Sequence, residues 1–158
     1  YGKGPWETYA DRKDAALIGL YTSSVAEQHV PFAVPCECGG HEDTRFVALS
    51  DGTHTVQIVG SDDFHFSALP YSIAEYRKAT YEEELPEQTT GTWLILDAAH
   101  AGLGGDTGWT KKYSPGISCM QGKIQLYVPF PFRIKEKIGQ LPIGFLRNKL
   151  QISRECCI

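Results

Sequence analysis

Residues 45–68, RFVALSDGTHTVQIVGSDDFHFSA, carry the pattern that decides the fold class. Their apolar residues come in short stretches that often alternate with polar ones, as they do in half-buried β-strands. The pair Asp51-Gly52 between two such stretches is a strong signal for a hairpin turn. We therefore predict three strands here, at residues 45–50, 53–59 and 64–68.

The same pattern of short apolar stretches continues outside residues 45–68. Two further strands are predicted, at residues 92–97 (TWLILD) and 123–130 (KIQLYVPF). Helical propensity rises in residues 10–20 and 72–84, and in the second segment Ser72 and Glu75 have the spacing of a capping box. Several short strands joined by turns, with few helices, predict an all-β antiparallel sandwich rather than alternating βαβ units.

Length and composition indicate one ordinary globular domain. The 158 residues are 42% hydrophobic and 22% charged, and 15 Lys and Arg against 19 Asp and Glu give a formal charge of −4. Because no excess of cations is present to neutralise a phosphate backbone or an anionic bilayer, we expect neither nucleic acid nor membrane as a partner. The N-terminus lacks the features of a signal peptide but also lacks an initiator Met, so the compartment is left open between cytoplasm and periplasm.

Cysteine usage predicts neither a disulfide framework nor a metal site. The five cysteines are Cys36, Cys38, Cys119, Cys156 and Cys157. An odd number with an adjacent pair favours a reducing compartment. The run Cys36-x-Cys38-x-x-His41 holds three possible ligands, but its spacing differs from that of common zinc sites and no second pair follows. We expect no metal and no cofactor in this chain.

Acid–base catalysis needs carboxyl or imidazole groups brought together. The candidate groups belong to Glu7, Asp11, Asp62, Asp63, residues 82–84, Asp97 and His100. None of them forms a recognisable pair in the sequence, and no G-x-S-x-G elbow is present. We therefore assign no catalytic residue. His100 follows a strand, so it either faces a ligand or caps a turn.

The glycine-dense segment 102–109, GLGGDTGW, does not match a nucleotide-binding loop. The dinucleotide fingerprint G-x-G-x-x-G needs Gly at the position of Thr107 and must open a helix. The glycines favour a tight loop held by the Asp106 carboxylate, which presents Trp109. A Trp at such a tip is either a core plug or a flat platform for a ligand, and sugars suit such a platform.

Four motifs, in the same order, resemble the C-terminal domain of β-galactosidases of glycoside hydrolase family 2. YGKGPWETYADR at 1–12 is similar to Y-G-x-G-P-x-E-x-Y-x-D-R, and PCECG at 35–39 to P-x-E-N-G. FSALPY at 66–71 is similar to F-S-A-x-P-Y, and GLGGDTGW at 102–109 to G-[IVL]-G-G-D-x-S-W. Cys38 and Gly108 depart from the Asn and Ser of these motifs, and Cys36 takes a position that is often Gln.

For the fold, the resemblance implies part of a galactose-mutarotase-like supersandwich. The likeness covers residues 1–109 and continues loosely to about 134, which divides the chain into a partial domain at 1–134 and a tail at 135–158. Because the likeness begins in the middle of the family domain, strands that cover its inner face are expected to be missing. We therefore expect self-association, or packing on the tail through Ile138, Leu141, Ile143, Phe145 and Leu146.

For function, the resemblance implies an accessory domain of a retaining β-galactosidase. Trp109 would stack on the sugar beyond the galactose, with Asp106 and His100 as further substrate-binding residues. The catalytic glutamates of the family lie on a separate TIM barrel, which would be the partner of this chain. A free-standing carbohydrate-binding module is the alternative. An aldose epimerase is a third, with His100, His65 and Glu7 as its nominal acid and base.

Overall fold

The computed structural model describes residues 1–87, 89, 91–100 and 102–103, together with the backbone of residues 132–137. Regular structure in these ranges is almost entirely antiparallel β, which confirms the predicted all-β class. The strands are β1 (Gly2–Gly4), β2 (Leu17–Gly19), β3 (Gly40–Ser50), β4 (Thr55–Leu69), β5 (Trp93–Asp97) and β6 (Phe132–Lys137). The predicted strand at 123–130 and the tail from 138 lie outside the described residues.

The central strand of the larger sheet is β4. It pairs with β3 along one edge, while β5 and β6 share its other edge. The C-terminal half of β4 pairs with β5 from His65↔Asp97 to Leu69↔Trp93, and the N-terminal half pairs with β6. The boundary predicted between residues 134 and 135 falls inside β6, and the division into domain and tail stays a prediction.

The two strands predicted at 53–59 and 64–68 are one continuous strand, β4. The polar residues 60–63 between them do not form a turn. They lie opposite the single residue Arg45, because Val59 pairs with Phe46 and Phe64 with Thr44. The extra residues are accommodated as a bulge, and the Arg45 Nε atom contacts Asp63 Oδ1 at 2.5 Å.

The helix predicted at residues 10–20 is wrong. The segment instead turns back at an isolated bridge between Tyr9 and Arg12 and then forms β2, which pairs with β1 in a two-stranded sheet. Two of its carbonyl groups, those of Lys13 and Ala16, accept hydrogen bonds from Lys3 Nζ at 2.8 and 3.3 Å. Tertiary contacts have therefore overridden a weak local propensity.

The helix predicted at 72–84 is present but short. α1 spans Ile73–Lys78, and its capping box is formed as expected: Ser72 Oγ accepts from Glu75 N–H at 3.2 Å, and Ser72 N–H donates to Glu75 Oε2 at 2.6 Å. Residues 82–84 form a separate 3₁₀ turn. Among the described residues, no helix has the length and apolar character needed to cross a membrane.

Two clusters of buried side chains stabilise the described part of the chain. One lies on the large sheet and consists of Val47, Ile58, Phe64, Ala68, Leu94 and Leu96. The other joins α1 to the segment before β3 and consists of Cys38, Leu69, Tyr76, Ala79 and Leu85. Helix α1 is thereby held against the C-terminal end of β4.

The β3–β4 hairpin turn at Asp51-Gly52 is confirmed, with residues 51–54 between the strands. Gly52 has a φ of +89°, the conformation for which glycine is suited. Asp51 Oδ1 accepts from the backbone N–H groups of Thr53 and His54 at 2.8 and 2.7 Å. These bonds lower the pKa of Asp51 to about 2, and the bond from the His54 N–H has the larger effect.

We predict that Asp51 contributes acid-sensitive stability to the hairpin. Since its pKa lies below the ordinary value of 3.8, the contribution is complete above about pH 4 and is lost as the pH falls through about 2. Asp51→Ala should lower the melting temperature at pH 7. Asp51→Asn keeps an acceptor oxygen but does not titrate, so its stability should fall less than that of the wild type between pH 4 and 2. An NMR titration placing the Asp51 pKa near 3.8 would contradict this account.

Candidate functional site

A fully buried tyrosine, Tyr9, organises the interior next to the start of β3. The N–H of Gly40 donates to Tyr9 Oη at 3.3 Å, and Thr8 N–H donates to the Gly40 carbonyl at 2.7 Å. Thr8 Oγ1 in turn accepts from the N–H of Glu42 at 2.8 Å. Burial, followed by the nearby carboxylates of Glu7 and Glu37, raises the pKa of Tyr9, so its phenol stays protonated. These contacts fix residues 8–9 against β3.

Two histidine rings lie beside the Tyr9 ring. His65 is on β4 and His100 follows β5, and their ring centroids are 4.5 Å apart. The Tyr9 centroid is 5.5 Å from that of His65 and 5.3 Å from that of His100. Only 1% of the His65 side chain and 6% of the His100 side chain are exposed. The pairing of β4 with β5 brings them together from positions 35 apart in the sequence.

The two histidines differ in how their nitrogens are satisfied. His100 Nε2 donates to Glu37 Oε1 at 2.7 Å, while its Nδ1 accepts from Gly102 N–H at 2.9 Å. The first bond lowers the pKa of Glu37. His65 Nδ1 lies 3.5 Å from Asp97 Oδ2, close enough for an electrostatic attraction, yet neither His65 nitrogen has a hydrogen-bond partner among the described residues.

Glu42 adds a buried carboxylate to the histidine pair. Its Oε2 lies 3.8 Å from Lys13 Nζ, which is bonded more closely to Asp43 Oδ1 at 2.7 Å. Its Oε1 has no hydrogen-bond partner in the described part of the chain. Burial raises the pKa of Glu42 above its ordinary value. One ligating atom each of Glu42, His65 and His100 lies within 4.8 Å of the others.

The run Cys36-x-Cys38-x-x-His41 does not come together as a ligand set. Cys36 is exposed, whereas Cys38 is fully buried and its Sγ lies 3.7 Å from Tyr76 Oη. His41 contacts Gln28 Oε1 at 2.5 Å and the Lys3 carbonyl at 3.3 Å. Burial raises the pKa of the Cys38 thiol, which keeps it protonated and unreactive.

The described residues show how the segment that leads to residues 104–109 is anchored. The N–H of Leu103 donates to Asp11 Oδ1 at 3.1 Å, and Gly102 donates to His100. Gly102 has a φ of +84°, and a Cβ there would lie 2.6 Å from the Asp11 carboxylate. Glycine is therefore needed at this position for two reasons. Asp106 and Trp109 lie outside the described residues.

An open cleft of about 540 Å³ lies beside this anchor. Its walls come from residues 4–8, 11–17 and 21, and they include Asp11 itself. Trp6, with 80% of its surface exposed, lines the cleft together with Glu7 and Arg12, whose charged atoms are 4.0 Å apart. An exposed indole beside carboxylate and guanidinium groups is a combination that suits polar ligands with an apolar face, such as sugars.

The family to which the chain belongs is decided by its sequence relatives. A family profile described as β-galactosidase small chain matches residues 1–128.

This chain belongs to the β-galactosidase small-chain family.

Relatives of this small-chain domain are themselves β-galactosidases. The chain is 44% identical over 114 residues to β-galactosidase 2 of Enterobacter cloacae, covering 72% of this chain and 10% of that protein. It is 39% identical over 113 residues to β-galactosidase BgaC of Bifidobacterium adolescentis, covering 69% and 11%, and 37% identical over 125 residues to a β-galactosidase of Vibrio cholerae, covering 79% and 12%. The chain therefore spans about a tenth of the length of these relatives.

The sequence singled out His100, and the structure places it beside Glu37, His65 and Tyr9. Sequence reasoning did not assign roles to Tyr9 or Glu42, because no spacing in the chain connects them with the histidines. His65 and His100, nominal acid–base candidates for an aldose epimerase, do come together. Since both rings are almost fully buried, however, the described residues leave no open sugar site between them.

We predict that Gly40 is required for the packing of this site. A Cβ at residue 40 would overlap His65 Nε2 and lie 2.7 Å from Tyr9 Cε1, and both rings are buried. Gly40→Ala should destabilise the chain by ~1–3 kcal/mol, the usual cost of overpacking, as measured by urea unfolding.

Gly19→Ala is the matched control for this substitution. Its nearest contact would be the Tyr21 ring at 3.0 Å, which is 40% exposed and is held by an exposed hydrogen bond from its hydroxyl to the Leu17 carbonyl, so it can shift toward solvent at small cost. We expect a loss under about 1 kcal/mol. Equal losses in the two variants would show that the Tyr9–His65 contact is not tightly packed.

Proposed function

We propose that this chain is the accessory, substrate-facing domain of a β-galactosidase and supplies the loop that carries Trp109. The observation that carries the proposal is the match of residues 1–128 to the small-chain family, together with the similarity to proteins named β-galactosidases. In this proposal, the Trp109 ring covers the apolar face of the sugar beyond the galactose. The Asp106 carboxylate holds the loop that presents it.

The anchors of the loop support this proposal. Asp11 and His100 hold the backbone of Leu103 and Gly102, directly before the glycine-dense segment. Because the His100 ring is almost fully buried and both its nitrogens are engaged, we assign it the role of positioning the loop rather than touching the sugar.

We assign the hydrolytic chemistry to a separate catalytic portion, a TIM barrel according to the family resemblance. Retaining hydrolysis uses two carboxyl groups about 5–5.5 Å apart that flank the glycosidic bond. The chain matches about a tenth of its relatives' length, which leaves ample room elsewhere in those proteins for such a pair. A free-standing carbohydrate-binding module is the alternative, and it differs in that sugar binding would not depend on a catalytic portion.

We predict that Trp109 affects binding of the aglycone more than the chemical step. Residues 1–128 of this chain can replace the matching segment of the Enterobacter cloacae relative, which is 44% identical. In that chimera, Trp109→Ala should raise KM for lactose about fivefold, since an aromatic contact contributes ~1 kcal/mol beyond its buried area. Transfer to sugar acceptors should weaken in parallel. Steady-state kinetics with lactose and with a nitrophenyl galactoside measure the change in KM, and the yield of transfer product with an added sugar acceptor measures the change in transfer.

Tyr81→Ala is the control for this experiment, because Tyr81 is an exposed aromatic residue beside the 3₁₀ turn at 82–84. Its kinetics should equal those of the parent chimera. The 158-residue chain alone should not hydrolyse a nitrophenyl galactoside. If Trp109→Ala unfolds the chimera but leaves the kinetics of the surviving enzyme unchanged, Trp109 is a core plug and the proposal fails.

We also propose that the catalytic portion covers an apolar surface around the β1–β2 sheet. The exposed side chains are Trp6 (80%), Leu17 (75%), Ile18 (53%) and Leu20 (72%). Several large apolar side chains exposed in one region mark an interaction surface more often than a free one. The same surface accounts for the expected self-association when the chain is isolated.

The isolated chain should therefore sediment as a dimer or larger species. Replacing Leu17 and Leu20 by Glu should shift it to monomer, because burial of charge at the contact is costly. Val34→Glu, which changes another exposed apolar residue, is the control and should have no effect. Deletion of residues 139–158 separates packing on the tail from self-association. A monomeric wild-type chain that keeps its melting temperature after the deletion would contradict both expectations.

A further inference from the structure

We propose that Glu42, His65 and His100 bind a divalent metal ion of the zinc class. The ion would join the start of β3, the C-terminal half of β4 and the segment after β5. This inference concerns the interior of the domain and does not depend on the proposed role of Trp109. It is carried by three observations: the convergence of the ligating atoms, the lack of partners for Glu42 Oε1 and the His65 nitrogens among the described residues, and the carboxylates behind the histidines.

The first observation is the convergence of three suitable ligands. Their ligating atoms lie within 4.8 Å of one another, and the side chains come from sequence positions up to 58 apart. Two imidazoles and one carboxylate form a ligand set that zinc uses, with ligand distances of ~2.0–2.2 Å. Tetrahedral ligands at that distance are ~3.4 Å apart. Shifts of about 1 Å in the positions of these side chains would therefore bring the ligating atoms to the spacing of a zinc site.

The second observation is that three buried polar atoms in this cluster lack partners within the described residues. They are Glu42 Oε1 and both ring nitrogens of His65. An unsatisfied buried polar group loses its hydration without compensation, so a native interior rarely gathers several in one place. A bound cation would satisfy Glu42 Oε1 and one nitrogen of His65 at once.

The third observation is the presence of carboxylates behind the histidines. Histidine ligands of metals commonly donate their other ring N–H to a carboxylate, which fixes the tautomer. Glu37 lies 2.7 Å from His100 Nε2, and Asp97 lies 3.5 Å from His65 Nδ1. This arrangement leaves His65 Nε2 and His100 Nδ1 as the nitrogens for the ion.

Ligation by His100 Nδ1 would replace its bond with the Gly102 N–H. That bond is neutral, whereas the bond between His100 and Glu37 is charge-assisted and is the stronger of the two. Metal binding would therefore release the Gly102 amide while keeping the ring in place. Since Gly102 begins the glycine-dense segment, metal binding would remove one of the two bonds that hold the base of the loop and leave the bond between Leu103 N–H and Asp11.

The carboxylates of Glu37, Glu42 and Asp97 all lie close to one or both of these histidines, so a dication bound between the rings would balance part of their charge.

Zinc titration of the metal-free 158-residue chain tests the site. Four cysteines are first replaced by serine so that their thiolates do not compete for zinc, namely Cys36, Cys119, Cys156 and Cys157. The fully buried Cys38 is kept. The wild-type chain is measured in parallel. Competition with a chromophoric chelator should give one zinc per chain. Glu42→Gln and His65→Gln should each weaken binding at least tenfold, and Glu37→Gln about tenfold. His54→Gln, on the exposed hairpin, should leave the affinity unchanged.

X-ray absorption of the zinc-loaded four-serine chain keeps the proposal testable if a variant fails to fold. Two imidazoles with additional oxygen and no sulfur in the zinc shell would support the site. Absence of stoichiometric zinc binding, a single imidazole, or equal affinity in the parent chain and in folded Glu42→Gln and His65→Gln variants would overturn it.

Discussion

The burial of the Tyr9 ring is the contact on which the described site depends. The ring has no solvent exposure, touches both His65 and His100, and accepts the Gly40 N–H through its hydroxyl group. A phenol tolerates such a position only when its oxygen is hydrogen-bonded and its ring is closely packed. Tyr9 therefore joins the N-terminal segment to strands β3 and β4 and to the residues after β5.

The sheet provides the rigid frame for this arrangement. β4 is paired on both edges, and the register between β4 and β5 places Asp97 opposite His65, three residues before His100. Asp11 and Glu37, which come from irregular segments, then reach the residues that follow β5. The segment entering the glycine-dense loop is thus held by side chains from distant parts of the chain, as expected for a functional loop on a rigid scaffold.

The interior beneath this loop is unusually polar for a β-sheet domain. Glu42 and His65 are buried with unpartnered atoms among the described residues, while the nearby Cys38 cluster is fully packed and its thiol is inert. Polar interior groups are retained where a ligand or partner satisfies them, because their desolvation is otherwise uncompensated. In this member of the β-galactosidase small-chain family, the polar region lies beneath the loop that faces sugar in our proposal.

The sequence by itself determined the local features of this protein. Period-two alternation predicted β3 and β5, Asp51-Gly52 predicted the hairpin, and the Ser72–Glu75 spacing predicted the cap of α1, because each depends on residues close together in the chain. Four short motifs also indicated the family. Tertiary structure alone decided that residues 60–63 form a bulge rather than a turn and that residues 10–20 are not helical, since partners on β3 and β1 outweigh local propensity. It also decided the meeting of Tyr9, Glu42, His65 and His100, because strand register, which no local pattern encodes, sets which distant side chains share one interior.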